Sequence, residues 1–186
     1  MNKSNQVQKN PTKVDVVIGI DPDVKKSGCA FLEVATRKLE ISTLSFPDLL
    51  DYLRYVQRQA EVAHINFRVI IEAGWLNKAH WHLTPKDTKQ VAAAKGNAAG
   101  RNHEIGRKIV EMCEHWQIPH ELIKPLALKV EGVNLWKGKD GKITQEELAS
   151  FTGIMGRTNQ EGRDAALIAW NWAGLPIKVM RKSTKK

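Results

Sequence analysis

The sequence has 186 residues, of which 42% are hydrophobic and 26% are charged, and this is typical of one globular domain with a substantial core. Its 29 Lys and Arg against 20 Asp and Glu give a formal net charge of +9, which favours a polyanionic partner, most often a nucleic acid. No apolar run approaches the roughly 20 residues that span a bilayer, and the N-terminus lacks the apolar stretch of a signal peptide, so we expect no membrane partner.

The two cysteines indicate the compartment. Cys29 and Cys113 lie far apart in the sequence and form no metal-type pair. They are predicted to be buried free thiols in a reducing compartment, which favours the cytoplasm.

Composition divides the chain into three parts. The polar, non-periodic residues 1–13 predict a disordered arm, residues 14–177 one domain, and residues 178–186 a basic tail. In the first half of the domain, runs rich in β-branched residues predict four strands, and helical spacing after Pro47 predicts a helix between the third and the fourth. The strands are expected at 16–20, 29–32, 39–44 and 67–71.

The second half of the domain is predicted to be mostly helical. We expect one long helix or two over 87–117, a short strand over 120–125, a Gly- and Lys-rich loop over 131–141, and a final helix over 160–173. The expected apolar face of the long segment consists of Val91, Ala94, Ala98, Ile105, Ile109, Met112, Cys113 and Trp116. This order of elements predicts an α/β fold with a mixed sheet covered by helices.

The segment KDGKITQEEL, before the final helix, resembles the second half of a calcium-binding EF-hand loop. The first and third ligand positions would be Trp136 and Gly138, which supply no carboxylate. Thr144 and Glu147 have the spacing of a capping box, which predicts a helix from Leu148 onward.

Carboxylates stand at the ends of two predicted strands and on the final helix. Asp21 follows the first strand, Glu72 follows the fourth, and Glu161 and Asp164 share one face of the helix at a spacing of three. Taken singly, Asp21 could only start a turn, and the helical pair could only complement the helix dipole. Together they favour a site for hard divalent cations such as Mg²⁺, and two such ions promote phosphodiester hydrolysis.

Three motifs resemble those of the RuvC-type Holliday junction resolvases, which are nucleases of the RNase H-like superfamily. GIDPDVKKSG resembles the opening strand and hairpin, VIIEAGW the strand that ends in a catalytic Glu, and EGRDAALIAW the final helix. The resemblance spans roughly residues 16–172. It implies an RNase H-like mixed sheet flanked by helices, and an endonuclease that uses Mg²⁺, with Mn²⁺ as a substitute. It also implies that Asp21, Glu72, Glu161 and Asp164 are catalytic and bind the metal.

The resemblance also implies partners. Branched DNA is the expected substrate, and a homodimer packed through residues 95–116 is expected to nick two strands of a four-way junction. Trp75 matches an aromatic residue that stacks on bases. Lys129 and Lys142 lie near the positions of the family's active-site basic residues, across a longer intervening loop, and are expected to bind DNA. Trp75 could instead be a core residue, and the two lysines could be ordinary solvated side chains. The rival functions are a related nuclease of flaps, forks or RNA–DNA hybrids, and a catalytically silent DNA-binding module.

Three features depart from the family pattern. Asp23 replaces a Gly and adds a carboxylate near the expected metals, and Glu161 replaces an Asp with a longer arm. The loop NKAHWHLTPK, with His80 and His82, has no counterpart. A zinc site, a DNA contact and simple packing all stay open for it.

Overall fold

The computed structural model describes residues 13–77, 86–127, 129–130 and 133–178, the pair 129–130 by backbone alone. The predicted arm, apart from Lys13, and the predicted basic tail, apart from Lys178, lie outside these ranges. The histidines His80 and His82 also lie outside them.

Five strands form one mixed sheet in the order β3-β2-β1-β4-β5. They are β1 (Val16–Asp21), β2 (Ser27–Glu33), β3 (Lys38–Leu44), β4 (Phe67–Glu72) and β5 (His120–Ile123). The first three form an antiparallel meander, whereas β4 pairs parallel with both β1 and β5. This topology confirms the expected fold class, an RNase H-like mixed sheet with flanking helices.

Four α-helices lie in the described ranges, namely α1 (Phe46–Ala63), α2 (Lys89–His115), α3 (Gln145–Thr152) and α4 (Gln160–Trp172). Residues 87–117 thus contain one long helix, and the predicted capping box is present, because Thr144 and Glu147 cap each other's backbone at the start of α3. A separate antiparallel pair of short strands, β6 (Lys129–Val130) and β7 (Val133–Asn134), precedes α3 and was not predicted.

The side-chain alternation of the strands separates two cores. In β1, Val16, Ile18 and Ile20 pack with α1 and the C-terminal half of α2, whereas Val17 faces α3 and α4. In β4, Ile71 likewise faces α1 and α2, and Ile70 faces α4. The sheet is therefore the middle layer of three.

The predicted apolar face of α2 is wrong in its N-terminal half. Val91 is 43% exposed, Ala94 and Ala98 are also exposed, and the buried residues Gly106, Ile109 and Cys113 all lie further along. A helix of 27 residues is about 40 Å long, roughly twice the length of a seven-residue strand. Its N-terminal half therefore contributes nothing to the two described cores.

Cys29 and Cys113 are buried and free, as predicted. Burial raises the pKa of each thiol to about 12. Within the described ranges, no helix combines the length and the apolar character needed to cross a membrane.

Candidate active site

Asp21 and Glu72 lie side by side at one end of the sheet. Their strands run parallel, and Ile20 of β1 is paired with Ile71 of β4, one residue before each carboxylate. Since Val17 and Ile70 face α4, alternation directs Asp21 and Glu72 to that same face.

Two strand glycines allow α4 to approach this face closely. A Cβ atom at Gly28 would overlap the carbonyl oxygen of Glu161, and one at Gly19 would overlap the carbonyl oxygen of Ala165. The backbone of α4 therefore lies directly on β1 and β2, which brings Glu161 and Asp164 to the end of the sheet that carries Asp21. The sequence contained a signal for this contact, because glycine inside a strand often marks a close backbone approach.

The four carboxylates influence one another electrostatically. Burial, and then the charges of Glu72 and Asp164, hold the pKa of Asp21 well above its ordinary value, and Glu161 adds to the effect. Burial and the charge of Asp164 raise the pKa of Glu72 to about 7, against the opposing effects of Lys142 and a backbone hydrogen bond from Leu126. The fold thus assembles negative charge at a cost in stability.

Lys142 supplies the counter-charge. Its Nζ lies 2.9 Å from Oδ2 of Asp164, and the Nε2 of Gln160 donates to the other oxygen of Asp164 at 2.7 Å. Burial lowers the pKa of Lys142, but Asp164, Asp21 and Glu161 together raise it above its ordinary value. Lys142 is therefore held as an ammonium ion beside the carboxylates.

The donors at this end of the sheet fit a hard cation such as Mg²⁺, because all are carboxylate oxygens and their repulsion would be relieved by positive charge. In the part of the chain that the structure describes, however, no three His, Cys, Asp or Glu side chains are arranged as ligands of one ion. The positive charge that lies beside Asp164 in this structure is the ammonium of Lys142.

The side chain of Asp23 forms hydrogen bonds that hold the loop between β1 and β2. Its Oδ1 accepts the backbone N–H of Lys25 at 2.8 Å, and its Oδ2 accepts from the side-chain amide of Asn102 at 3.1 Å. The same amide accepts the N–H of Val24 at 3.0 Å, so Asp23 and Asn102 together fix the loop to α2. The additional carboxylate is therefore engaged in holding the loop.

Trp75 lies in a short 3₁₀ turn, Gly74–Leu76, directly beyond β4. Its half-buried ring contacts α2 at Gly106, where a Cβ atom would overlap the ring. The guanidinium carbon of Arg107 lies 5.4 Å from the ring centroid, which is the geometry of a cation–π contact. Trp75 thus follows the strand that ends in Glu72 and packs against α2, whereas the side chain of Lys129, on β6, lies outside what the structure describes.

Replacing Glu72 with Gln should stabilise the fold in a pH-dependent way. The pKa of Glu72 is about 7 in the folded chain against 4.5 ordinarily, so the unfolded chain loses this proton first as the pH rises. Below about pH 4.5 the side chain of Glu72 is protonated in both states and leaves the free energy of unfolding unchanged. Between about pH 4.5 and pH 7 it lowers the free energy of unfolding progressively. We expect Glu72→Gln to raise the free energy of unfolding by about 2–3 kcal/mol near pH 8 and by almost nothing near pH 4.

Urea denaturation of both proteins at the two pH values measures this difference. The control is Glu61→Gln on the exposed surface of α1, which should change the free energy of unfolding by less than about 0.5 kcal/mol at either pH. An equal effect of Glu72→Gln at both pH values would show that burial and the charge of Asp164 do not raise the pKa of Glu72.

Comparison with models of protein families and with curated proteins gives no match. Among solved structures, RuvC of T. thermophilus in complex with a Holliday junction substrate has 15% identity and a TM-score of 0.40, over 83% of this chain and 89% of that chain. Thermus thermophilus RuvC has 17% identity and a TM-score of 0.39, over 86% and 96%. Fowlpox virus resolvase in complex with Holliday junction DNA has 11% identity and a TM-score of 0.36, over 86% and 97%. The fold assignment rests on the sheet topology and not on these values.

Proposed function

We propose that this chain is a Mg²⁺-dependent endonuclease that cleaves branched DNA, in the manner of a Holliday junction resolvase. One observation carries the proposal. Four carboxylates and one ammonium ion lie together at one end of the sheet of a chain whose net charge is +9. A protein that only bound DNA would gain nothing from carboxylates that repel phosphate.

In this proposal Asp21, Glu72, Glu161 and Asp164 hold Mg²⁺, for which Mn²⁺ substitutes. When bound, such ions activate water and neutralise charge at the phosphate. The ammonium of Lys142 attracts the phosphate towards the carboxylates and offsets the charge that develops on its oxygens. Lys137 and Lys139, which are exposed and lie with Lys142 in the segment between β7 and α3, add positive charge for the DNA backbone.

The test is the cleavage of a panel of end-labelled substrates in Mg²⁺ and in chelator. We expect a four-way junction to be cut, in Mg²⁺ only, and linear duplex to be spared. Preferred cleavage of a flap, a fork or an RNA–DNA hybrid would assign the chain to a related nuclease. Tight binding with no cleavage of any substrate would favour the silent DNA-binding module.

We further propose that the enzyme is a homodimer packed through residues 95–116. The N-terminal part of this segment is exposed, and at Gly96 and Gly100 no atom lies where a side chain would begin, so a second helix could approach closely. Sedimentation of the chain should therefore give a dimer, and Gly100→Glu should give a monomer that no longer makes paired nicks. Val62→Glu is the control and should remain dimeric, because Val62 lies on α1, outside the proposed interface, and is 80% exposed. A wild-type monomer, both free and on a junction, would remove the dimer from the proposal.

Trp75→Ala should impair cleavage more than folding. Loss of one base stack costs roughly 1–3 kcal/mol, or about 5- to 150-fold in cleavage rate. The half-buried ring contributes less to stability than a core Trp, so we expect a loss of about 1–2 kcal/mol and not the 3–5 kcal/mol typical of a core position.

The chain contains a matched control for Trp75. Trp116 ends the proposed dimer segment, but its ring packs inward against α1 of its own chain. It is also half-buried and also lies under a guanidinium, with Arg54 5.1 Å from its ring centroid. Trp116→Ala should lower the melting temperature similarly and leave junction cleavage by the folded protein nearly unchanged. Equal cleavage by the two folded variants would remove Trp75 from the DNA interface.

A further inference from the structure

Lys142 is carried by a short segment between β7 and α3, residues 135–144, which we call the lysine loop. Lys137 and Lys139 of this loop are exposed, whereas the side chain of Lys142, which is 45% exposed, reaches α4 and contacts Oδ2 of Asp164 at 2.9 Å. A long, flexible lysine side chain reaches a fixed point reliably only when its own backbone is fixed. The position of Lys142 therefore depends on what holds the lysine loop.

Glu147 holds this loop at two places. Its carboxylate oxygens lie 3.0 and 3.1 Å from the backbone nitrogen of Lys137, and one of them also accepts the backbone N–H of Thr144 at 3.0 Å. The two N–H groups lie near the two ends of the loop. Glu147 is 1% exposed, so its carboxylate is almost entirely withdrawn from solvent.

A capping box alone does not account for this arrangement. Capping the N-terminus of α3 requires only the contact between Glu147 and the backbone of Thr144. The hydrogen bonds to Lys137, ten residues away, belong to the loop. Burial of a carboxylate is costly unless its lone pairs are satisfied, and here backbone amides of the loop satisfy them.

The backbone around Lys142 is fixed on both sides. Its carbonyl accepts the N–H of Gly138 at 3.0 Å, and its own N–H donates to Lys139 at 3.1 Å. The next residue, Ile143, is buried, and its carbonyl accepts from the Nε of Arg163 on α4 at 3.0 Å. The lysine loop is therefore attached both to Glu147 and to the helix that carries Asp164.

We propose that Glu147 is a positioning residue: it closes the lysine loop and so delivers the ammonium of Lys142 to the carboxylate end of the sheet. Its effect on cleavage rests on the proposed function, whereas its effect on the position of Lys142 does not. Gln at this position has one acceptor oxygen, and its NH₂ group would face a backbone N–H. In either orientation this donor opposes the N–H of Lys137 or of Thr144, so Glu147→Gln should weaken at least one of the two attachments and release Lys142.

The position of Lys142 is tested on the metal-free protein by brief acetylation with acetic anhydride, read at each lysine by mass spectrometry. In the wild type, Lys142 should react several-fold more slowly than the exposed Lys139 of the same loop. In Glu147→Gln the two rates should become nearly equal. Thr144→Ala is the control, since it removes the side-chain cap of α3 but keeps the backbone N–H that Glu147 binds, and Lys142 should stay protected. Unchanged protection of Lys142 in folded Glu147→Gln would overturn the proposal.

Cleavage kinetics test the consequence for the reaction. Because a small displacement of a reacting group costs about 100-fold, Glu147→Gln should lower kcat by roughly 10- to 100-fold with junction affinity little changed. On a Lys142→Met background it should cause no further loss. Equal losses on both backgrounds would show that Glu147 acts only on the fold.

A wild type that cleaves nothing would overturn the proposed function, and the acetylation result would still decide the role of Glu147. If Glu147→Gln fails to fold, Glu147→Asp keeps the charge, withdraws it by one methylene, and is judged by the same outcomes.

Discussion

Asp21→Asn should reduce cleavage of a four-way junction by at least about 100-fold while binding persists or strengthens. Asn keeps the shape of Asp but loses the charge that would hold a cation. It also removes one negative charge from the surface that faces the DNA phosphates. The substitution should not harm the fold, because the environment of Asp21 already raises its pKa and disfavours its charged form. Single-turnover cleavage, gel-shift binding and thermal unfolding on the same preparation measure the three effects.

Asp23→Asn is the matched control, two residues away. Asn at this position keeps the oxygen that accepts the N–H groups of Lys25 and Lys26 and loses only the acceptor for Asn102. We expect its cleavage rate to stay within about tenfold of the wild type. Full activity in Asp21→Asn, or an equal loss in both variants, would remove Asp21 from the catalytic group.

The sheet could be predicted from the sequence because each of its first four strands is a short β-branched or alternating run. The same runs placed Asp21 and Glu72 at strand ends, and alternation along the strands then decides which face each carboxylate takes. The spacing of Glu161 and Asp164 placed them on one helical face. Local pattern was sufficient for these features, because each depends on neighbours within a few residues.

Other features depend on contacts between distant segments, which local pattern does not contain. The apolar periodicity of α2 predicted a buried face at Val91 and Ala94, but the helix is longer than the sheet it packs on, and its first half is exposed. The capping box predicted the bond between Glu147 and Thr144, but the bond to Lys137 depends on the path of the lysine loop. Similarly, Asn102 gave no signal, since its partner Asp23 lies 79 residues earlier.

A substitution at the contact between α4 and the sheet should have a large effect on stability. Ala is normally better than Gly inside a strand by roughly 0.5–1 kcal/mol, so propensity alone predicts that Gly28→Ala stabilises β2. In this fold the added Cβ would overlap the carbonyl oxygen of Glu161 and approach the backbone nitrogen of Gly162 within 3.1 Å. Neither backbone atom can move without lifting α4 from the sheet. We therefore expect a loss of stability of about 3 kcal/mol or more, at the upper end of the cost of overpacking.

Gly96→Ala is the control for this substitution, because at Gly96 nothing lies within 4 Å of an added Cβ and the residue lies inside α2, two turns from its start. It should raise the free energy of unfolding by about 1 kcal/mol, as helix propensity predicts, at protein concentrations low enough to keep the chain monomeric. The same chemical change should thus have opposite signs at the two positions in urea denaturation. A Gly28→Ala protein as stable as the wild type would show that α4 does not rest on β2, and that Glu161 is not held beside Asp21.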